Sequence, residues 1–177
     1  MELGADQFIE LGDVVELNAS VNVPEEMIDT IIWTPNDSAD CLNCLNKVVH
    51  PLLTTTYSIA VKTRDGCVGR NQLTVFVNSQ PKVFAPNAFS PNGDGNNDFF
   101  ILFAGSEAVE IKALRVFDRQ GNIVFETNQA KFNDLESGWD GTFRGRKMRS
   151  AVFVYFAEIV SMNGQAHVVK GDVVLLQ

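Results

Sequence analysis

Histidine occurs only at His50 and His167 in the 177 residues, and neither stands in a catalytic pattern. No nucleophile elbow, paired-carboxylate motif or glycine-rich phosphate loop accompanies the serines, aspartates and glutamates. The chain therefore reads as non-enzymatic, and any catalysis of a parent protein is expected upstream of it. No apolar run is long enough to cross a bilayer as a helix, so no membrane span is expected. The start, Met1-Glu2-Leu3-Gly4, lacks the basic residues that open a signal peptide. If the chain is exported, it is expected to be a fragment of a longer precursor. No segment shows a convincing helical face, and residues 104–112 offer at most a short turn of helix.

Basic residues are scarce in the first half. Residues 1–80 hold eleven acidic and four basic side chains, within a formal net charge of -8. That imbalance argues against nucleic acid as a partner, because phosphate binding needs a basic surface. It leaves room for a cation or a basic protein.

Cysteine is scarce too: Cys41, Cys44 and Cys67 are the three in the chain. An odd number leaves at least one thiol without an intrachain partner. Three readings stay open. One is a disulfide, Cys41 to Cys44 or either of them to Cys67, as in a secreted domain. Another is free buried thiols. The third is zinc on the close cysteine pair with Cys67 and His50, a set lacking a second close pair.

Phenylalanine, by contrast, is plentiful at thirteen residues, and aromatic side chains bury well in sheets. The apolar pattern has a strand period throughout. Val15, Leu17, Ala19 and Val21 alternate with Glu16, Asn18 and Ser20. Strands are expected from Met27 to Trp33, from Thr54 to Val61, and through Leu73, Val75 and Val77. Residues 36–55 read as loop. Ser79-Gln80-Pro81 marks a boundary between residues 1–80 and 81–177.

Beyond it, Glu110 to Asp118 reads as a strand reversed at Arg119-Gln120-Gly121-Asn122, with Ile123 to Glu126 pairing back. Gly121 can take the left-handed backbone position of a hairpin turn. Arg144, Arg146, Lys147 and Arg149 form a basic turn, either a solvated tip or a contact for an acidic surface. Ala151 to Val160 is apolar on both sides, with Val152, Val154 and Phe156 opposite Phe153, Tyr155 and Ala157. That predicts a central strand between two layers. Asn163-Gly164 turns the chain into a last strand, Val168 to Leu176. Two consecutive antiparallel β-sandwiches, an all-β protein, fit best.

One cluster looks like a candidate ligand set. Asn92, Asp94, Asn96 and Asp98 alternate along a loop made pliable by Gly93 and Gly95. Oxygen-only ligands suit a hard cation such as Ca²⁺, although the loop is not an EF-hand. The competing reading is that these side chains cap their own turns. Trp139-Asp140-Gly141 divides similarly: Trp139 as core with Asp140 capping the next turn, or a recognition surface.

The second half carries three motifs in order. The first runs Pro86-Asn87-Ala88-Phe89-Ser90-Pro91-Asn92-Gly93-Asp94-Gly95-Asn96-Asn97-Asp98. The second runs from Val116 through Gly121 to Glu126. The third is Gly138-Trp139-Asp140-Gly141-Thr142-Phe143, followed by Phe153-Val154-Tyr155 and a final Lys170-Gly171-Asp172-Val173-Val174-Leu175. From about Val83 to Gln177 these resemble the gliding-motility-associated C-terminal domain, the type B sorting domain of Bacteroidetes type IX secretion. The resemblance implies a β-sandwich sorting signal at the end of an exported surface protein. It implies as partners the outer-membrane translocon, the sorting machinery and upstream domains of the same precursor. Residues 9–78, with Trp33-Thr34-Pro35 and Asp65-Gly66-Cys67, resemble the immunoglobulin-like or PKD-like modules that precede such domains. An alternative role for the chain is an adhesion module that binds glycan or protein at the cell surface.

Overall fold

In a computed structural model, which describes residues 1–36 and 43–177, the chain divides into two compact units, Met1–Ser79 and Gln80–Gln177. Each has its own apolar core.

The first unit contains β1 (Gln7–Glu10), β2 (Val15–Asn18), β3 (Ile28–Thr34), β4 (Asn46–Val49), β5 (Thr55–Thr63) and β6 (Val68–Asn78). One sheet has the order β1-β6-β5-β3, and β2 pairs with β4. Alternation decides the layers. Tyr57, Ile59 and Val61 on β5 and Leu73 and Val75 on β6 point inward and meet Val15 and Leu17 of β2 and Trp33 of β3. The facing sides of β5 and β6 carry hydroxyls, with Thr56 and Thr74 bonded at 3.0 Å. Gly66 (φ +83°) supplies the left-handed residue of the β5–β6 turn.

β4 lies inside the segment expected to be loop. Its dry face holds Lys47 beside Val49, so the apolar alternation that betrays a strand is broken. Lys47 is nonetheless buried, and its ammonium donates to Pro35 O at 3.0 Å.

The second unit contains β7 (Val83–Phe84), β8 (Ala88–Phe89), β9 (Phe103–Ala104), β10 (Ala108–Phe117) and β11 (Ile123–Thr127). It continues with β12 (Thr142–Phe143), β13 (Arg146–Lys147), β14 (Ala151–Ser161) and β15 (Ala166–Leu175). The main sheet has the order β11-β10-β14-β15-β8, with β7–β9 and β12–β13 as separate pairs. Within residues 104–112 a turn at Ser106 and Glu107 separates β9 from β10, closed by Ala108 N–H donating to Gly105 O at 3.4 Å, and the rest is strand; Ile111 and Leu114 on β10 are fully buried. Single 3₁₀ turns occur at Glu25–Met27 and Leu135–Ser137.

Phe153, Tyr155, Ala157 and Ile159 of β14 and Val173 and Leu175 of β15 face the core. Opposite them lie Phe100, Leu102 and Trp139, held by a two-bond bridge between the backbones of Phe100 and Trp139 (2.8 and 3.0 Å). Val83, Phe143 and Met148 pack against the same core. The expectation that β14 is covered on both sides is overturned. Val152 and Val154 are 54% and 49% exposed, and Glu158 beside them is exposed too. The main sheet is buried on one face and open on the other, as antiparallel sheets allow.

Candidate recognition site

The motif residues of the second unit fix its shape. After β8 the chain closes a loop in which Ser90 N–H donates to Asn97 O at 2.8 Å. Asp98 spans the loop: one carboxylate oxygen accepts from Gly93 N–H (2.7 Å) and the other from Gly95 N–H (2.8 Å). Asp94 accepts from Asn96 N–H (2.8 Å) and from the Asn92 amide (2.9 Å), while Asn92 Oδ1 accepts from Asp94 N–H (2.9 Å). Gly93 and Gly95 have φ of +82° and +85° with open space where a Cβ would stand, so backbone conformation alone calls for glycine there.

Hydrogen bonds from Asn92 and then Asn96 hold the Asp94 carboxyl below its ordinary value. All four carboxylate oxygens of Asp94 and Asp98 accept an N–H from the loop itself. Among the described residues no three His, Cys, Asp or Glu side chains stand close enough together to hold a metal.

The β10–β11 turn repeats this chemistry. Asp118 Oδ1 accepts from Gln120 and Asn122 N–H, both at 2.9 Å, and Gly121 sits at φ +84°. Its carboxyl is lowered first by the Asn122 side chain.

Trp139 is fully buried, with ring centroids 5.3 Å from Phe89 and 4.9 Å from Phe153. Its indole N–H donates to Thr142 O at 2.8 Å. Asp140 caps the next turn, accepting from Thr142 N–H (2.9 Å) and Oγ1–H (2.8 Å). Gly141, at φ +75°, lies where a Cβ would press on Leu175 and Pro91. Tyr155 stands opposite Gly171 in register, and a Cβ there would come 2.8 Å from the phenol oxygen. Burial, then the Asp172 carboxylate, pushes that phenol above its ordinary value. Phe89 is buried among the same aromatics, and Pro86 and Asn87 lead into its strand.

The basic turn is the β12–β13 hairpin. Arg144 (φ +52°) and Gly145 (φ +74°) form its tip, and the Arg144 guanidinium lies 5.1 Å from the Phe143 ring centre. Arg144, Arg146, Lys147 and Arg149 are all exposed.

In the first unit, Cys44 is disulfide-bonded and Cys67 is a free, exposed thiol. Neither pairing through Cys67 therefore forms. Cys41 lies outside the described residues. His50 is exposed. His167 Nε2 meets Ser161 Oγ at 2.9 Å within the β14–β15 hairpin, where Ser161 is buried and also bonds Asn163.

The motif residues turn inward or bond to their own turns, whereas the outer face of the main sheet is open to solvent. Register places Ile123, Phe117, Val154 and Asp172 in one row across it, and Glu126, Arg115, Phe156 and Lys170 in the next. Val152 pairs with Val174, and Glu158 with Val168, which is 58% exposed. Arg115 and Glu126 form an ion pair at 2.6 Å. The result is a strip of exposed valines interspersed with charged side chains. Sequence reasoning assigned the β14 part of this strip, within Ala151 to Val160, to a place between two layers. The signal against burial was Glu158, Lys170 and Asp172 at the same alternate positions, since buried unpaired charge is costly.

A family of type IX secretion signal domains, CHU_C, matches residues 83–175. None of the curated proteins compared with the chain matches it. Among solved structures, latent PorU of Porphyromonas gingivalis aligns at 10% identity and TM-score 0.36, over 99% of this chain and 19% of that one. The chain thus spans less than a fifth of that protein. Fibronectin(III)-like modules of Clostridium thermocellum CbhA align at 11% identity and TM-score 0.29, over 97% and 89% of the two chains. SGBP-B of the Bacteroides ovatus mixed-linkage glucan utilization locus, solved with a heptasaccharide, aligns at 14% identity and TM-score 0.35, over 99% and 44%.

Proposed function

We propose a function that proceeds from one premise: the chain belongs to the CHU_C family of type IX secretion signal domains. Residues 83–175 are a non-catalytic sorting signal of an exported surface protein, and no helix among the described residues is long and apolar enough to cross a membrane. The finer reading is that the outer-membrane translocon and its sorting machinery bind the valine strip on β14 and β15. An address has to be a fixed surface. The self-bonded Asn92–Asp98 loop, the Trp139 anchor and the Tyr155–Gly171 contact supply the rigidity. The strip supplies exposed apolar area of the kind that marks interaction sites.

The first unit serves in this reading as an immunoglobulin-like or PKD-like spacer between cargo and address. The carrying observation is the family match over a unit whose open sheet face exposes Val152, Val154 and Val168. The test is Val152→Lys with Val154→Lys in the full chain behind an exported reporter. Both side chains point to solvent, so the melting temperature stays within a few degrees while surface display falls. Undiminished display of a folded double variant removes the strip from the mechanism.

A second reading, adhesion, has one observation in its favour. Phe8 is 80% exposed and stacks on Phe76 with centroids 4.8 Å apart, next to Thr54, Glu10, Asp13 and Asn78. An aromatic plate beside hydroxyl, amide and carboxylate groups suits a sugar ring or a peptide. A glycan array comparing the chain with Phe8→Ala tests it; equal, background-level signals dismiss it.

A further inference from the structure

The ten residues of β15 all pair with β14, from Val160↔Ala166 to Ala151↔Leu175, without a register shift. On its other side, among the described residues, β15 meets only β8, through Val174↔Ala88 and Leu175↔Phe89. Val174 N–H donates to Asn87 O and Leu176 N–H to Phe89 O, both at 2.9 Å. In a strand, the N–H and C=O of one residue point to the same side and those of the next residue to the other. Because Val174 points toward β8, so do Asp172, Lys170, Val168 and Ala166. All four are exposed, and no hydrogen bond to that side is found for them among the described residues.

The sheet therefore ends in an open edge about 20 Å long, enough for a strand of ordinary length. β8 does not extend along it because Pro86, which has no N–H, precedes it. Upstream, β7 has already turned away to pair with β9. The edge is lightly protected: the stretch has no proline and no bulge, and its charged side chains are Lys170 and Asp172. The valine strip adjoins it through Val168.

We propose that this edge, Ala166 to Asp172, accepts an extended segment of the secretion machinery as an added strand. The inference rests on the sorting function proposed above. Backbone pairing supplies affinity in such a complex, and side chains at alternate positions supply selectivity. The incoming strand continues the outer face, so apolar residues on its outward side cover Val168. A second copy of this chain suits the edge less well. Antiparallel self-pairing over its full length sets Lys170 against Val168 and Asp172 against Ala166. The register that joins Lys170 to Asp172 needs Val174, which β8 already occupies.

The experiment places the full chain behind a signal peptide and reporter in a host with the secretion system. Val168→Pro and Lys170→Pro each remove an outward N–H and no bond to β14, so the edge closes while the sheet stands. Lys170→Ala controls for the lost charge. The expected result is folded proline variants whose surface yield falls by about tenfold or more, with Lys170→Ala displayed like the unmodified chain. Folded proline variants displayed normally overturn the proposal. Failure of the unmodified chain to reach the surface instead defeats the sorting function itself. A concentration-dependent dimer abolished by Val168→Pro, with display unchanged, gives the edge to a second copy and also overturns the proposal. Should the proline variants not fold, amide hydrogen exchange of the unmodified chain decides. Adding purified translocon selectively protects Ala166, Val168, Lys170 and Asp172 if the edge is used, and unchanged exchange there refutes it.

Discussion

Gly171→Ala tests whether the packing of the sorting unit is as tight as its geometry implies. An added Cβ would lie 2.8 Å from Tyr155 Oη, 2.9 Å from Cε1 and 3.1 Å from Cζ. The ring cannot simply move aside. Tyr155 is 7% exposed and its centroid sits 5.1 Å from that of Phe100. Overpacking of this kind costs about 1–3 kcal/mol. For a unit of this size each kcal/mol moves the melting temperature by roughly 4–8 °C. The expected fall is therefore about 5–20 °C in the transition of the second unit, read by scanning calorimetry on the full chain. Without the clash the sign reverses, because alanine is better than glycine in a strand by roughly 0.5–1 kcal/mol. A double-mutant cycle with Tyr155→Leu isolates the contact: the alanine costs less once the ring is gone. A Gly171→Ala protein as stable as the unmodified chain, or more so, refutes the reasoning.

Three further outcomes are expected. Asp94 and Asp118 have carboxyls lowered below 3.8 in the folded chain, so their contribution is complete above the unfolded value and lost as pH falls through the folded one. Acid titration of Asp94→Asn and Asp118→Asn by circular dichroism should show a shallower loss of stability below about pH 4; unchanged acid limbs contradict the loop geometry. Removing divalent cations with a chelator leaves the melting temperature unaltered, because the Asn92–Asp98 loop is held by its own amides; a drop of several degrees, restored by Ca²⁺, argues for a bound ion. Thiol labelling of the native chain followed by peptide mapping marks Cys67 and spares Cys44, and Cys67→Ser leaves the melt in place.

The strongly alternating strands were legible in the sequence because alternation is a local signal. β5, β6, β14 and β15 are long and β-branched, and the turns at Gly66, Gly121 and Gly164 have the left-handed glycines their sequences suggest. Trp139 as core and Asp140 as cap followed from the same kind of reasoning. β4 was hidden by Lys47, which sits on a dry face because its ammonium reaches a carbonyl, a long-range fact. β1 was hidden because Gln7–Glu10 is short and leaves Phe8 in solvent. The open face of β14 was misjudged because Val152, Val154 and Phe156 fit both a covered strand and a strand with one exposed apolar face. Glu158, with Lys170 and Asp172 on the next strand, was the sequence signal that separates the two. The free edge of β15 is a matter of which strand stops where. It depends on Pro86 and on β7 leaving for β9, some eighty residues earlier in the chain.

The central claim, that the second unit is an export address, is tested most directly by localisation. A reporter with a signal peptide is fused to the full chain, or to residues 1–79 alone, and expressed in a host with a type IX secretion system. Protease accessibility on intact cells is then measured. The account predicts surface or medium exposure for the full-chain fusion and periplasmic retention for the fusion ending at residue 79. Equal exposure of both fusions, or retention of a stable full-chain fusion, would contradict it.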